Sequence, residues 1–220
     1  MNTKKRILTS LGFLLLVTSA SVSATLITNG DFSTGDLSGW TTFTTTANGT
    51  IGSPTVTSFD VTGSGASNAA RFQVGQNSFV SGAEEGGGIF QNFSSTTGTF
   101  SGAFDISVQD FFTGGNNHAG TFSVLLDNVL LNSINLGSIS SSAILRNSLA
   151  FSTAITAGTH EFKILMTRHF TIGAGTTPYQ YLDNIVADVS GSSSVPEPSE
   201  LALFAIGMGA FRLASRRTRN

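Results

Sequence analysis

Three observations predict an all-β domain, an antiparallel β-sandwich or jelly roll. Apolar and polar side chains alternate with a period of two in several short segments. Turn-forming residues punctuate those segments at short intervals. No stretch between the two ends keeps the long helical period that an amphipathic helix needs. Composition agrees. Only 11% of residues are charged, and the 25 glycines and 18 phenylalanines suit tight turns joined by half-buried pleated strands.

Along the chain, residues 1–24 read as a signal peptide with a helical apolar part. Lys4, Lys5 and Arg6 are basic, Ile7 to Val17 is mostly apolar, and Val22-Ser23-Ala24 supplies small residues for cleavage after Ala24. The apolar run is shorter than the about 20 residues of a comfortable membrane span. Residues 25–190 form the β-domain. In it, Phe100, Phe104, Ile106 and Val108 share one face, and Ser101, Asp105, Ser107 and Gln109 the other. Phe122, Val124 and Leu126 alternate in the same way, as do Phe162, Ile164 and Met166. Turns are expected at Gly114-Gly115-Asn116-Asn117, Ala157-Gly158 and Gly173-Ala174-Gly175. Asp127-Asn128 is expected to close a hairpin, since both residue types tolerate positive φ. Many short antiparallel strands in one domain imply the sandwich.

Residues 191–195 read as a serine-rich linker, and 196–220 as a tail of three parts. Val195-Pro196-Glu197-Pro198 is extended and accessible, because two prolines neither join a helix nor donate to a strand. Leu201 to Phe211 is apolar and reads as a short hydrophobic helix. Arg212, Arg216, Arg217 and Arg219 form a basic stop, expected to stay on the cytoplasmic side of the inner membrane during export. A helix of that apolar length is roughly 16 Å long, well short of the roughly 30 Å hydrocarbon core. It suits a transient anchor better than a permanent one.

Charge and cysteine content narrow the partners. Residues 25–195 carry four basic side chains against eleven acidic ones. Such a middle argues against nucleic acid, which needs a basic face. The absence of cysteine excludes disulfides and thiol chemistry.

Two resemblances follow from these residues. The order Val195-Pro196-Glu197-Pro198, apolar run, arginine-rich end resembles the PEP-CTERM sorting signal of bacterial exported proteins. That resemblance implies processing by an exosortase, a membrane transpeptidase-like enzyme, in bacteria that make exopolysaccharide, biofilm or floc. It implies a place in the cell envelope, at the cell surface or in the extracellular matrix. The second resemblance covers the edges of the β-domain. Asn29-Gly30-Asp31-Phe32-Ser33-Thr34-Gly35 with Leu37-Ser38-Gly39-Trp40 is similar to the opening of galactose-binding-like jelly rolls, many of them carbohydrate-binding modules. Tyr181-Leu182-Asp183-Asn184-Ile185-Val186 is similar to their last strand. The family's structural Ca²⁺ would fall to Asp31 and Asp183, and oxygen ligands suit that hard cation. Ser33 stands where members often carry an acidic residue. The alternative is that both aspartates cap turns.

For chemistry, the sequence offers little. His118, His160 and His169 lack metal-ligand spacing and read as surface or turn residues. Glu84-Glu85 precedes Gly86-Gly87-Gly88 and reads as a solvated pair on a loop. No nucleophile elbow, P-loop or dinucleotide fingerprint is present. The expected function is therefore non-enzymatic: an exported structural, adhesive or exopolysaccharide-binding sandwich, the last with Trp40, Tyr179 and Tyr181 as the aromatic ligand candidates beside the phenylalanines. Trp40 reads most simply as a core or sheet-edge ring. The rival is a secreted polysaccharide-acting hydrolase, which needs two carboxylates at a fixed separation. A third reading is polymerisation through exposed edge strands.

Overall fold

The computed structural model describes residues 26–78, 80, 82–111, 117–169 and 177–191. The signal segment with Ala24, Val195, and the whole tail from Pro196 to Arg219 and beyond lie outside the described residues, as do 114–116 and 173–175. No helix among the described residues is long and apolar enough to cross a membrane.

The strands are, in chain order, β1 (Thr41–Thr44), β2 (Gly49–Thr50), β3 (Thr55–Phe59), β4 (Ser67–Phe72), β5 (Gly75–Gln76), β6 (Glu85–Ser95), β7 (Gly98–Gln109), β8 (Thr121–Leu126), β9 (Val129–Asn135), β10 (Ile144–Ile155), β11 (Gly158–Arg168) and β12 (Tyr179–Gly191). They form two five-stranded sheets, β1-β6-β11-β8-β9 and β10-β7-β12-β4-β3, and a small β2-β5 ribbon. Every pairing is antiparallel. This is the all-β antiparallel arrangement that the alternating pattern predicts.

The core lies between the sheets because the period-two pattern points one side of each strand inward. Phe100, Phe104, Ile106 and Val108 of β7 are buried, as are Phe122 and Val124 of β8 and Phe162, Ile164 and Met166 of β11. Phe100 joins the layers: its ring centroid lies 5.0 Å from Phe93, 5.2 Å from Phe151 and 5.8 Å from Phe162. Full burial of each such side chain contributes about 1.5–3 kcal/mol before entropy is counted. Asp127 and Asn128, at φ 51° and 64°, close the β8–β9 hairpin as their residue types suggest.

One segment differs from expectation. Glu84-Glu85 and the three glycines do not form a loop with solvated carboxylates. Glu85 begins β6, is buried, and its carboxylate accepts a hydrogen bond from the Thr45 hydroxyl. The glycines lie inside a sheet, where a Cβ at Gly88 would sit 1.9 Å from the Ile164 carbonyl oxygen. Glycine here allows a close backbone approach within a strand, and that use gives no alternation to read.

The two edge motifs of the domain meet each other. Asn29 organises the first loop: its amide nitrogen donates to the carbonyls of Asp36 (3.0 Å) and Ser38 (2.9 Å), and its side-chain oxygen accepts from Thr34 N (3.3 Å). The loop then docks on β12 at a bulge between Asp183 and Val186, where Ile185 N donates to Gly30 O at 2.9 Å. A Cβ at Gly30 would stand 2.0 Å from Ile185 O. Gly30→Ala is thus expected to cost about 3 kcal/mol, at the upper end for overpacking. In a domain of this size that lowers the melting temperature by roughly 6–12 °C, as thermal denaturation followed by circular dichroism would measure. An unchanged midpoint would mean that the loop does not dock there.

Candidate ligand-binding face

The outer side of the β10-β7-β12-β4-β3 sheet carries the candidate site, and strand register sets its rows. Tyr179 of β12 lies opposite Gln109 of β7, and Gln109 opposite Ile144 of β10. The next outward row is Arg71, Tyr181, Ser107 and Arg146, and the one after it holds Asp183, Asp105 and Ser148.

The β3–β4 connection, Asp60 to Ala66, arches over this face. Its base is an Asx-type turn: Asp60 Oδ1 accepts from Gly63 N (2.7 Å) and Gly65 N (3.2 Å). β3 and β10 are opposite edges of the sheet, yet Arg146 of β10 donates to Asp60 O through Nε (3.2 Å) and Nη2 (3.1 Å) and pairs with its carboxylate at 3.5 Å. Val61, on the arch, is buried with Ala69 and Tyr181 in a small second apolar cluster flanked by Phe59 and Tyr179. This cover explains why Ser107, on the outward side of β7, is fully buried. Below the arch lies a cleft of about 400 Å³ lined by Val61, Thr62, Asp105, Arg146, Asn147 and Ser148.

Aromatic rings flank the arch. Tyr181 is buried, its ring stacked on Phe59 at 3.7 Å and 7°. Toward the start of β12, Tyr179 is only partly buried, with the Arg71 guanidinium 4.9 Å from its ring centre and the half-exposed Phe111 edge-on at 5.7 Å. The outer face of the other sheet also has rings, Phe43 and Phe90. There the Lys163 ammonium sits 5.1 Å and 6.0 Å from the two ring centres and covers them.

The sequence-derived ligand residues divide accordingly. Tyr179 is presented to solvent. Tyr181 is not, because Phe59 and Val61 enclose it. Trp40 is corrected as a ligand residue. It is buried between Phe32 and Phe162 at 6.3 Å from each, and its Nε1 donates to Asn29 O at 2.9 Å. A ring so enclosed pins the first loop and has no face left for a sugar. Phe111, Arg71 and Arg146 escaped the sequence reading, since only the register of distant strands brings them to one face.

Asp31 and Asp183 stand near enough to interact electrostatically, in contrasting settings. Asp31 is exposed, and hydrogen bonds from Ser33 hold its carboxyl below the usual range. Asp183 is buried, and that burial pushes its carboxyl above the usual range. Hydrogen bonds from Ser67 Oγ (2.5 Å) and Asn184 N (2.7 Å) oppose the rise, while Asp105 and Asp31 add to it. Beside these lies a smaller cavity of about 230 Å³ lined by Ile27, Asn29, Gly30, Asp31, Ile185 and Val186.

Of the histidines, the exposed His169 keeps the expected surface role and His160 the expected turn role. His160 Nδ1 lies 2.7 Å from Asp127 Oδ2 at the β8–β9 hairpin, which raises its pKa. His118 is buried, and it lies with His169 and Glu84 at the other end of the same sheet.

No family model matches the sequence. No curated protein matches it either. Solved structures similar in strand layout include TmCBM61 in complex with beta-1,4-galactotriose, at a TM-score of 0.47 and 10% identity over 76% of this chain and 100% of that one. The CBM22-1 xylan-binding domain from Paenibacillus barcinonensis Xyn10C matches at 0.44 and 8% over 80% of this chain and 100% of its own. Arabinose-bound MgGH51 α-L-arabinofuranosidase matches at 0.48 and 14% over 76% of this chain and 26% of its own. At these scores and identities the matches assign this chain neither a family nor a ligand.

Asp183 gives a signed pH test. Its folded pKa is raised, so its contribution is fully present below the ordinary carboxylate value and is lost as pH rises through the folded pKa. Asp183→Asn removes that titration. Across urea unfolding from about pH 3.5 to 7, wild type is expected to lose stability relative to the variant. A pH-independent difference would mean that Asp183 titrates normally.

Proposed function

We propose that this chain is an exported, non-enzymatic β-sandwich protein that binds polysaccharide along the outer face of the β10-β7-β12-β4-β3 sheet. One observation carries the reading: that face sets a partly exposed aromatic platform in line with a polar cleft. Tyr179, Phe111 and Arg71 stand at one end, and Asp105, Arg146, Asn147 and Ser148 at the other. Gln109, the register partner of Tyr179, and Asp105 of the cleft are four residues apart on β7, roughly 13 Å, a distance that a short oligosaccharide spans. Ring faces offer an apolar surface to the C–H side of a sugar, and carboxylate, guanidinium and amide groups meet its hydroxyls.

The hydrolase reading would use Asp105 and Asp183, which are register partners. Burial weighs against it: Asp183 is 1% exposed and already engaged by Ser67 and Asn184, so a glycosidic oxygen has no route to it. The oxygen donors of Asp31, Asp105 and Asp183 suit a hard cation, which would relieve the carboxylate repulsion that adds to the effect of burial on Asp183. Asp31 and Asp183 are the residues that would hold such a Ca²⁺ ion, in a structural role.

Export and sorting rest on the ends of the sequence: the segment before Thr25, and Pro196-Glu197-Pro198 followed by an apolar run and Arg212, Arg216, Arg217 and Arg219. The partners on this reading are an exosortase-type enzyme at the inner membrane and the exopolysaccharide outside it, in the envelope, at the cell surface or in the matrix.

Binding is tested on immobilised exopolysaccharide from the producing strain. Tyr179→Ala and Phe111→Ala are each expected to weaken retention about fivefold, the size of one aromatic contact, and Trp40→Phe to leave it unchanged in folded protein. Retention equal in all variants would remove the site, and release of reducing sugar by wild type would favour the hydrolase. For sorting, the intact mass of the mature protein is expected to lack residues 1–24 and the segment after Pro198 only where the exosortase is present. Persistence of the tail in both backgrounds would overturn that part.

A further inference from the structure

We infer that Glu84, His118 and His169 form a binding site for a transition-metal ion of the zinc type. The three side chains come from segments far apart in sequence, which is why no spacing motif announces them. They meet because β6, β11 and β8 end side by side. Glu85 at the start of β6 is the register partner of Arg168 at the end of β11, so Glu84 and His169 are the next residues out on each strand. Thr167 of β11 pairs with Thr121 at the start of β8, which brings His118, three residues earlier, to the same corner.

The donor geometry suits one small ion. His169 Nε2 lies 2.9 Å from Glu84 Oε1, and one donor atom from each of the three side chains falls within 4.8 Å of the others. Around a tetrahedral ion bound at about 2.0–2.1 Å, donors stand roughly 3.3 Å apart, inside that span. Two imidazoles and a carboxylate favour Zn²⁺, Co²⁺, Ni²⁺ or Cu²⁺ over the Ca²⁺ that an all-oxygen set selects. Three protein ligands leave one tetrahedral position for water or an outside group.

The ligands are also held in place. Thr167 Oγ1 donates to Glu84 Oε2 at 2.9 Å, which fixes the carboxylate and leaves Oε1 turned to His169. The backbone at and just after His118 is held by two buried side chains. The fully buried Arg168 donates to the His118 carbonyl through Nε, and Gln180 Nε2 donates to the carbonyl of Ala119 at 3.3 Å. Asn135 hydrogen-bonds the His118 side chain. Such outer partners orient the first ligands in metal sites. The two rings lie close together, with centroids 4.9 Å apart.

The test titrates Co²⁺ into the purified full chain, followed by its visible absorption bands, and then competes it with Zn²⁺. One equivalent of Co²⁺ is expected to bind, to give the spectrum of a four-coordinate N/O site, and to be displaced by Zn²⁺. His169→Ala and Glu84→Gln are each expected to weaken Zn²⁺ at least tenfold while keeping a cooperative metal-free melt. Asp183→Asn, in the separate carboxylate cluster, is expected to leave Zn²⁺ affinity unchanged. No saturable binding below about 100 µM, a value corresponding to roughly 5.5 kcal/mol, would overturn the site. So would affinity unchanged by His169→Ala and Glu84→Gln, or lost only with Asp183→Asn.

Discussion

Phe100 sits where the two sheets touch, and its ring meets rings from β6, β10 and β11 at once. That contact is also a constraint on register. Side chains alternate along a strand, so a one-residue slip of β7 would carry Asp105 and Ser107 into the apolar layer and Phe104 and Ile106 into water. With β7 fixed, its partners are fixed as well: Ser148 opposite Asp105 on one side, Asp183 opposite Asp105 on the other. The polar face is in this sense the reverse side of the phenylalanine layer. Its geometry is inherited from packing that no ligand touches.

The two candidate sites use different parts of this frame. The outer face of one sheet supplies a broad surface, roofed by the Asp60–Ala66 arch, on which neighbouring strands present one side chain each per row. The corner where β6, β8 and β11 end supplies convergence instead, since residues just beyond paired strands are free to turn toward each other. Buried polar side chains tie the corner to the rest. Gln180 of β12 accepts from Val74 N and donates to Ala119 O, bridging the layers behind His118. Each of those groups has a partner, as a buried polar group must if it is not to cost stability.

How much of this was legible in the sequence depended on range. The strands around Phe100–Val108, Phe122–Leu126 and Phe162–Met166 and the turn at Asp127-Asn128 are encoded within about ten residues, and local pattern found them. The loop after Asn29 and the strand through Asp183 were legible as two motifs, but their docking through Gly30 and Ile185 was not, because it depends on the bulge in β12. β6 was missed because three glycines erase the alternation that marks a strand. The arch was hidden for another reason: Arg146 and Asp60 are 86 residues apart and on opposite edges of a sheet. The same holds for Glu84, His118 and His169. Trp40, the only tryptophan, was legible both as a core ring and as a ligand candidate, and its buried neighbours decide for the core.

The place of β12 has a mechanical consequence. It runs through the middle of its sheet, hydrogen-bonded to β7 from Tyr179–Gln109 to Gly191–Gly98 and to β4 over its first residues, and the chain leaves the domain from its far end. Tension applied to the chain beyond Gly191 therefore acts along the strand. It shears the whole ladder with β7 at once and cannot peel it one pair at a time. A protein tethered by that end and gripped on the face beside β12 would take up strain in the long ladder between β12 and β7.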